Sequence, residues 1–271
     1  MTSPQLKRKE PNEKKRTEPI MDNAHVKELL SVMRDNTAAS KDFMAMLSQV
    51  TAMEKQLNAA VVELNAMRKQ LDEAKAANHP AQSVMEKAVN SAQNRVQNLR
   101  NKLGEIKDNI INGCKTALNE VKENGIAALN NVVDLLKIKP ALESICNDMN
   151  KGIAHDNKQI NKIETISQNY HEAGKHLKNV GRVLLGKEPI KDAKPVGKIA
   201  EAFCKPLKAD RTICEGIKKC AESALGCVSR LEQRATEKKP SLMDTLNILE
   251  KKVAQDKKEA PEKTSPNKGE R

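Results

Sequence analysis

The residues best suited to chemistry are the cysteines, and their spacing does not form a metal site. The six cysteines lie at positions 114, 146, 204, 214, 220 and 227. Zinc sites use cysteine pairs separated by two to four residues, and this sequence has no such pair. On a helix, Cys220 and Cys227 would share one apolar face with Ile213, Ile217 and Leu231. The spacing therefore predicts packing cysteines and no metal, and a reducing compartment would keep them as thiols.

The histidines and glycines lack the spacing of catalytic and phosphate-binding motifs. The five histidines, at positions 25, 79, 155, 171 and 176, include no pair four residues apart, the spacing found in zinc proteases. No Cys–His nucleophile arrangement can be assigned, and neither GxxxxGK[ST] nor GxGxxG occurs. Carboxylates fall on predicted solvent faces, where pairing with nearby lysines accounts for them. We therefore expect no enzyme, no catalytic residue, no cofactor and no small-molecule substrate.

The strongest candidate for a binding surface is the run YHEAGKHLKNVGR at residues 170–182. Half of the net charge of +12 lies within residues 171–219. Basic side chains follow one predicted helix face and continue just beyond it: His171, Lys175, Lys178, Arg182, Lys187, Lys191, Lys194 and Lys198. They could contact an anionic partner such as a phosphate backbone, or form a solvated charged face. Aromatic residues make up only 1% of the chain, which argues against binding by base stacking.

Both ends of the chain are predicted to be disordered basic tails. Residues 1–21 carry the cluster KRKEPNEKKR and three prolines, and residues 257–271 are similarly polar. Neither tail can bury enough apolar surface to fold. The N-terminal residues lack the apolar stretch of a secretory signal, and no segment approaches the ~20 apolar residues of a membrane span. We therefore expect a cytoplasmic protein that does not enter a membrane.

Two long apolar seams predict an antiparallel, coiled-coil-like helical hairpin within residues 22–139, preceded by a short helix. Apolar residues recur every seven positions on both sides of Asn78-His79-Pro80, a sequence that ends one helix and suits the start of the next. The packing seam consists of Phe43, Val50, Leu57, Leu64 and Leu71, then Val89, Val96, Leu99, Leu103, Ile106 and Ile110. Glycine weakens a helix, so the sequence leaves continuity across Gly113 and Gly125 open.

A third long helix is predicted within residues 140–187, packed on the hairpin. Gly174 and Gly181 lie seven residues apart on its seam, which predicts that a neighbouring backbone approaches closely there. Residues 188–256 are predicted to form a separate, smaller helical region. It would contain three helices: 196–205, 211 to about 234, and 241 to about 255.

Several surface strings resemble a known family. MDNAHVKELLSVMRDN and SKDFMAMLSQVTAMEKQLNAAVVELNAMRKQL, followed by YHEAGKHLKNVGR and AKPVGK, resemble an uncharacterised helical family encoded on conjugative or other mobile elements of gut-dwelling anaerobic bacteria. The resemblance covers roughly residues 21–235. It implies a bacterial cytoplasm and a mobile-element setting. It implies no activity, and therefore no functional residues.

These observations favour a non-enzymatic scaffold or interaction protein. Its helical faces would serve self-association or a protein partner. The alternative is a nucleic-acid-associated accessory factor that binds the phosphate backbone through residues 171–198 and the basic tails. The sequence identifies neither the partner nor the oligomeric state.

Overall fold

The computed structural model describes residues 19–33, 37–76, 80–124, 132–191 and 197–236. Every regular element in these ranges is helical, so the predicted all-α class is confirmed. Residues 1–18 and the whole predicted tail 257–271 lie outside the described part of the chain. None of the described helices carries an apolar stretch that could cross a membrane.

Six α-helices follow a short 3₁₀ turn in the described ranges. The turn is Ile20–Asp22, and the helices are α1 (Ala24–Val32), α2 (Thr37–Ala76), α3 (Gln82–Asn124), α4 (Val132–Leu136), α5 (Lys139–Leu184) and α6 (Lys198–Thr236). The Asn23 side chain accepts the His25 N–H and caps α1. Pro140 lies in the first turn of α5, where a missing N–H leaves no helical hydrogen bond unmade.

The four long helices form an antiparallel bundle in which each helix neighbours two others. α2 packs on α3 and α6, and α5 packs on α3 and α6. Ion pairs mark the antiparallel order: Asp42 near the start of α2 meets Arg230 near the end of α6 at 2.7 Å, and Lys139 at the start of α5 meets Glu232 at 3.0 Å. This is the up-down-up-down topology of a four-helix bundle. The short elements α1 and α4 pack on α3.

The predicted hairpin is present as α2 and α3, and its seam faces inward. All eleven predicted seam residues are buried except Leu57, which is half-buried and packs against the core. α3 continues through Gly113 without interruption, and that glycine is buried. Gly125 lies outside the described residues.

The predicted break between two helices, 196–205 and 211–234, is wrong. Residues 198–236 form one long helix that passes through Pro206, whereas two helices were expected there. Proline inside a helix costs about 3 kcal/mol, but α6 packs along both α2 and α5 and remains helical through Pro206. It is therefore the fourth long helix of the bundle. The predicted helix 241–255 lies outside the described residues.

The bundle interior consists of two apolar clusters along its length. One contains Phe43, Met53 and Leu99, and the other contains Met67 and Phe203. Leu57 and Ile213 pack against both clusters. A small group of buried polar side chains lies where the two clusters meet. At one end of the bundle, α5 extends beyond the other helices.

Candidate interaction surface and buried ionic layer

α5 is longer than its neighbours and extends past the end of the bundle. α6 begins beside Ser167, whose Oγ accepts the Gly197 N–H at 3.1 Å. The first turn of α3 reaches a similar level, since Val84 and Ile166 line the same surface groove. Residues 168–184 of α5 therefore form an overhang, about 25 Å long at 1.5 Å per residue.

The chain turns back along the overhang and is tied to it by three side chains. Gly186 takes a positive φ of 68°, and the Lys187 N–H donates to the Arg182 carbonyl, which closes the helix. Residues 185–191, here called the strap, then run back beside the helix. The Asn179 amide bonds both the N–H and the carbonyl of Ile190, at 2.7 and 3.2 Å. Lys175 and Arg182 each donate to a strap carbonyl at 2.7 Å.

The side of the overhang opposite these three residues carries exposed apolar side chains. Among residues 168–191, only His171, Lys175, Asn179 and Arg182 are half-buried, and the rest are exposed. The large exposed apolar residues of the overhang and strap are Tyr170, Leu177, Val180, Val183, Leu184, Leu185 and Ile190. Leu177 and Leu184 are 77% and 81% exposed. Soluble proteins rarely leave such a contiguous group in water unless it binds something.

Arg95 anchors the polar group inside the bundle. Its guanidinium donates to both carboxylate oxygens of Asp156 at 3.1 Å, to Asp210, and to the Ser91 hydroxyl at 2.8 Å. The Arg95 side chain is 10% exposed and both carboxylates are at least as deeply buried. Gly152 makes room for it, since a Cβ there would lie 2.6 Å from Arg95 Cδ. We call Arg95, Asp156, Asp210 and the adjoining Cys214 the ionic layer.

Burial and mutual repulsion shape the protonation of the ionic layer. Burial raises the pKa of Asp156 to about 7, the neighbouring Asp210 adds to the increase, and the Arg95 charge opposes it. Burial disfavours the charged form of Arg95, yet the Asp210 and Asp156 carboxylates raise its pKa above the usual value. Arg95 therefore remains charged while Asp156 holds its proton to an unusually high pH. Burial and the charge of Arg95 lower the pKa of the adjoining His155.

The ionic layer also contains donors that could in principle hold a metal ion. Atoms of Asp156, Asp210 and Cys214 lie within 4.8 Å of one another. The Arg95 guanidinium, however, already hydrogen-bonds both carboxylates and supplies the positive charge that a cation would bring. Burial also raises the pKa of the Cys214 thiol to about 12, which opposes the thiolate that metals bind. The donor set therefore fits an internal ion network better than a metal site.

Comparison with known proteins assigns the chain to a family. The model of a family of unknown function (DUF6674) matches residues 22–271. The chain belongs to this family. No curated protein and no solved structure is significantly similar to it.

In the described part of this DUF6674 chain, some residues of the predicted basic face contact the strap or Gly197, and others are exposed to solvent. Lys175 and Arg182 bond the strap, and the His171 ring lies against Gly197. Lys178, Lys187 and Lys191 are exposed. Lys194 and the side chain of Lys198 lie outside the described residues.

The predicted close approach to Gly174 and Gly181 is not made by the described part of this DUF6674 chain. No atom there lies within 4 Å of a Cβ built at either glycine. Both glycines lie on the exposed overhang, which explains the absence of an internal neighbour. Sequence reasoning also missed Arg95 and Asp210. The available signal was Asp156, a charged residue in the otherwise apolar α5 series Leu142, Met149, Ile163.

Proposed function

We propose that this protein is a non-enzymatic helical scaffold whose binding surface is the overhang of α5. The observation that carries the proposal is the exposed apolar side of the overhang, including Leu177 and Leu184. The bundle serves as a rigid support, and the strap fixes the outer end of the helix. Burial of the ionic layer supports a non-enzymatic role, since the buried carboxylates are already paired with Arg95.

We further propose that the protein acts in the cytoplasm of a bacterium as an accessory protein of a mobile element. This setting rests on the resemblance of its surface strings, such as YHEAGKHLKNVGR, to proteins encoded on such elements. Neighbouring genes that encode proteins for the transfer of DNA between cells would support this setting. A chain encoded consistently among housekeeping genes would contradict it.

The test of the scaffold proposal is affinity capture from the native host with tagged, full-length protein. Replacing Leu177 and Leu184 by Glu should abolish recovery of a specific binding protein, because charged side chains cannot be buried without a large desolvation penalty. The matched control replaces Asn147 and Asn150 by Glu, which places the same new charge on two exposed positions of α5 within the bundle. Equal recovery by all three proteins would exclude the overhang as the binding surface.

A second candidate function, binding of nucleic acid, is favoured by the exposed Lys178, Lys187 and Lys191 at the overhang. Phosphate contacts would weaken steeply as salt rises, because counterions are released on binding. Replacing these three lysines by Glu leaves the strap contacts intact and should abolish the retardation of DNA or RNA in a gel. An unchanged shift would remove this surface from consideration.

A further inference from the structure

We propose that the occupant of the overhang is the overhang of a second copy of this chain, paired antiparallel about a twofold axis near Leu177. This inference rests on the proposed function and names its partner. Four features carry it: the register of the seam, the position of the charges, the reach and composition of the chain's two terminal segments, and the length of the overhang.

The apolar side of the overhang continues a seam that α5 already uses for packing. Leu142, Met149 and Ile163 are buried in the bundle, and Tyr170, Leu177 and Leu184 extend the same seven-residue spacing into solvent. Ala173 and Val180 occupy the alternate positions of that seam. The exposed stretch therefore has the pattern of a helix that packs against another helix.

The charges of the overhang lie away from this seam. With 100° of rotation per residue, Lys175 and Arg182 lie on the opposite side of the helix, where they bond the strap. The positions that flank the seam are occupied by Gly174, Gly181, His176 and Val183, none of which carries a permanent charge. Lys178 lies about 100° from Leu177, beyond the flanking glycines, so two basic overhangs can meet without placing like charges within the seam, and the glycines allow close approach.

The chain's own remaining segments are poorly suited to this surface. Glu232 near the end of α6 contacts Lys139, which is 38 residues, or about 57 Å, from Leu177 along α5. The predicted helix 241–255 with its four-residue connection spans only about 36 Å. Residues 256–271 could extend further, but they contain no Leu, Ile, Val, Met or aromatic residue that could cover the apolar side of the overhang. Residues 1–18 could extend further, but Met1 and Leu6 are their only large apolar residues, too few to cover a strip about 25 Å long.

The dimensions of the overhang fit a symmetric antiparallel pair. A pair centred on Leu177 places Tyr170 opposite Leu184, and Gly174 opposite Val180 and Gly181. Each overhang then ends where the bundle of its partner begins, near Ser167. The same patch serves both copies, as a twofold interface requires.

The area of contact between the two overhangs indicates how strongly the two copies should associate. A strip about 25 Å long and about 10 Å wide covers about 250 Å² on each copy, below the ~800 Å² per partner of a standard interface. We therefore expect a reversible dimer whose population rises with concentration between the micromolar and millimolar range.

The first test is sedimentation equilibrium of the full chain over that range. Leu177→Glu should weaken dimerisation by about 30-fold or more, as expected for a residue at the interface centre. Gln168→Glu adds the same charge on the opposite, exposed side of the overhang and should leave the equilibrium unchanged. Because both positions are exposed in the monomer, circular dichroism should show the same helix content and melting temperature for all three proteins.

Cysteine cross-linking tests the orientation. Leu177→Cys should form a disulfide-linked dimer under mild oxidation, whereas Tyr170→Cys should not, because its two copies would be about 21 Å apart along the axis. A mixture of Tyr170→Cys and Leu184→Cys chains should cross-link to each other. The unsubstituted protein gives the background from its own six cysteines.

Several results would overturn the proposal. A monomer at every concentration would do so, as would equal weakening by Gln168→Glu or cross-linking of Tyr170→Cys to itself. A monomer that instead binds vesicles of anionic lipid would assign the overhang to a membrane surface. Host capture that depends on Leu177 would preserve the scaffold function even then, so the two proposals can fail separately.

Discussion

Asp156 occupies a position in α5 where the neighbouring seam residues are apolar. Burial of its carboxyl costs free energy, and the groups around it reduce that cost. The carboxyl is fully buried, and a buried charge is tolerated only when it is paired or neutralised. Arg95 provides pairing, but Asp210 shares the same guanidinium. One arginine cannot neutralise two carboxylates, so the layer is most stable when Asp156 keeps its proton.

Replacement of Asp156 by Asn should therefore change how stability depends on pH. The pKa of Asp156 is about 7 in the folded chain against an ordinary value of 3.8. A group with a raised folded pKa contributes stability that is complete below about pH 4 and is lost as pH rises through 7. Between these limits the native chain should lose on the order of 4 kcal/mol relative to Asp156→Asn, which stays neutral. Urea denaturation of both proteins at each pH measures this difference, and parallel curves would contradict it.

Residue-scale features of this kind are only partly readable from the sequence. A charged residue in the series Leu142, Met149, Asp156 and Ile163 is visible as an interruption. Its partners are not visible, because Arg95 and Asp210 lie 61 and 54 residues away along the chain and look like ordinary helix-surface residues. Only the packing of α3 and α6 beside α5 brings them together.

At the scale of single elements, the spacing of apolar residues predicted the helices more accurately than the sequence predicted the breaks between them. Seven-residue spacing of apolar residues predicted α2, α3 and α5, and Asn78-His79-Pro80 predicted the break between α2 and α3. A break after residue 205 was predicted and does not exist, because packing on two neighbouring helices outweighs the local cost of Pro206. The strap was not predicted at all. It depends on side-chain bonds from α5 to backbone groups, and these leave no periodic signal.

The strap offers a prediction confined to one element. Asn179 makes two hydrogen bonds with the backbone of Ile190, and a typical bond contributes about 1 kcal/mol. Asn179→Ala should speed hydrogen exchange and proteolytic cleavage within residues 185–191, and leave the melting temperature of the bundle nearly unchanged. Lys178→Ala, at the adjacent exposed position, is the control. Equal protection of the strap in both variants would show that Asn179 does not hold it.

At the scale of the whole molecule, the ionic layer separates the two apolar clusters of the bundle. The sequence predicted an antiparallel hairpin but not the placement of α6 between α2 and α5, since one long apolar seam can pack on another in many registers. A layer that joins α3, α5 and α6 through charged groups satisfies its hydrogen bonds in one alignment only. We expect it to select the register of these three helices more than to stabilise them.

If the ionic layer mainly selects the register, two variants that both remove its ion pairs should differ in their free energy of unfolding. Arg95→Met leaves two carboxyls buried without their cation and should cost about 3–5 kcal/mol of stability. Adding Asp156→Leu and Asp210→Leu to that change removes the charges and joins the two clusters, so stability should return to the native value or exceed it. Urea denaturation measures both.

The triple variant also tests whether the ionic layer aligns α3, α5 and α6 with one another. Loss of unique alignment should broaden its methyl NMR signals or increase dye binding to apolar surface, even where its unfolding free energy is high. Sharp, native-like spectra would show that the apolar seams alone align the bundle. A triple variant as unstable as Arg95→Met would instead show that the shape of the native side chains, rather than their charge, maintains the junction between the two clusters.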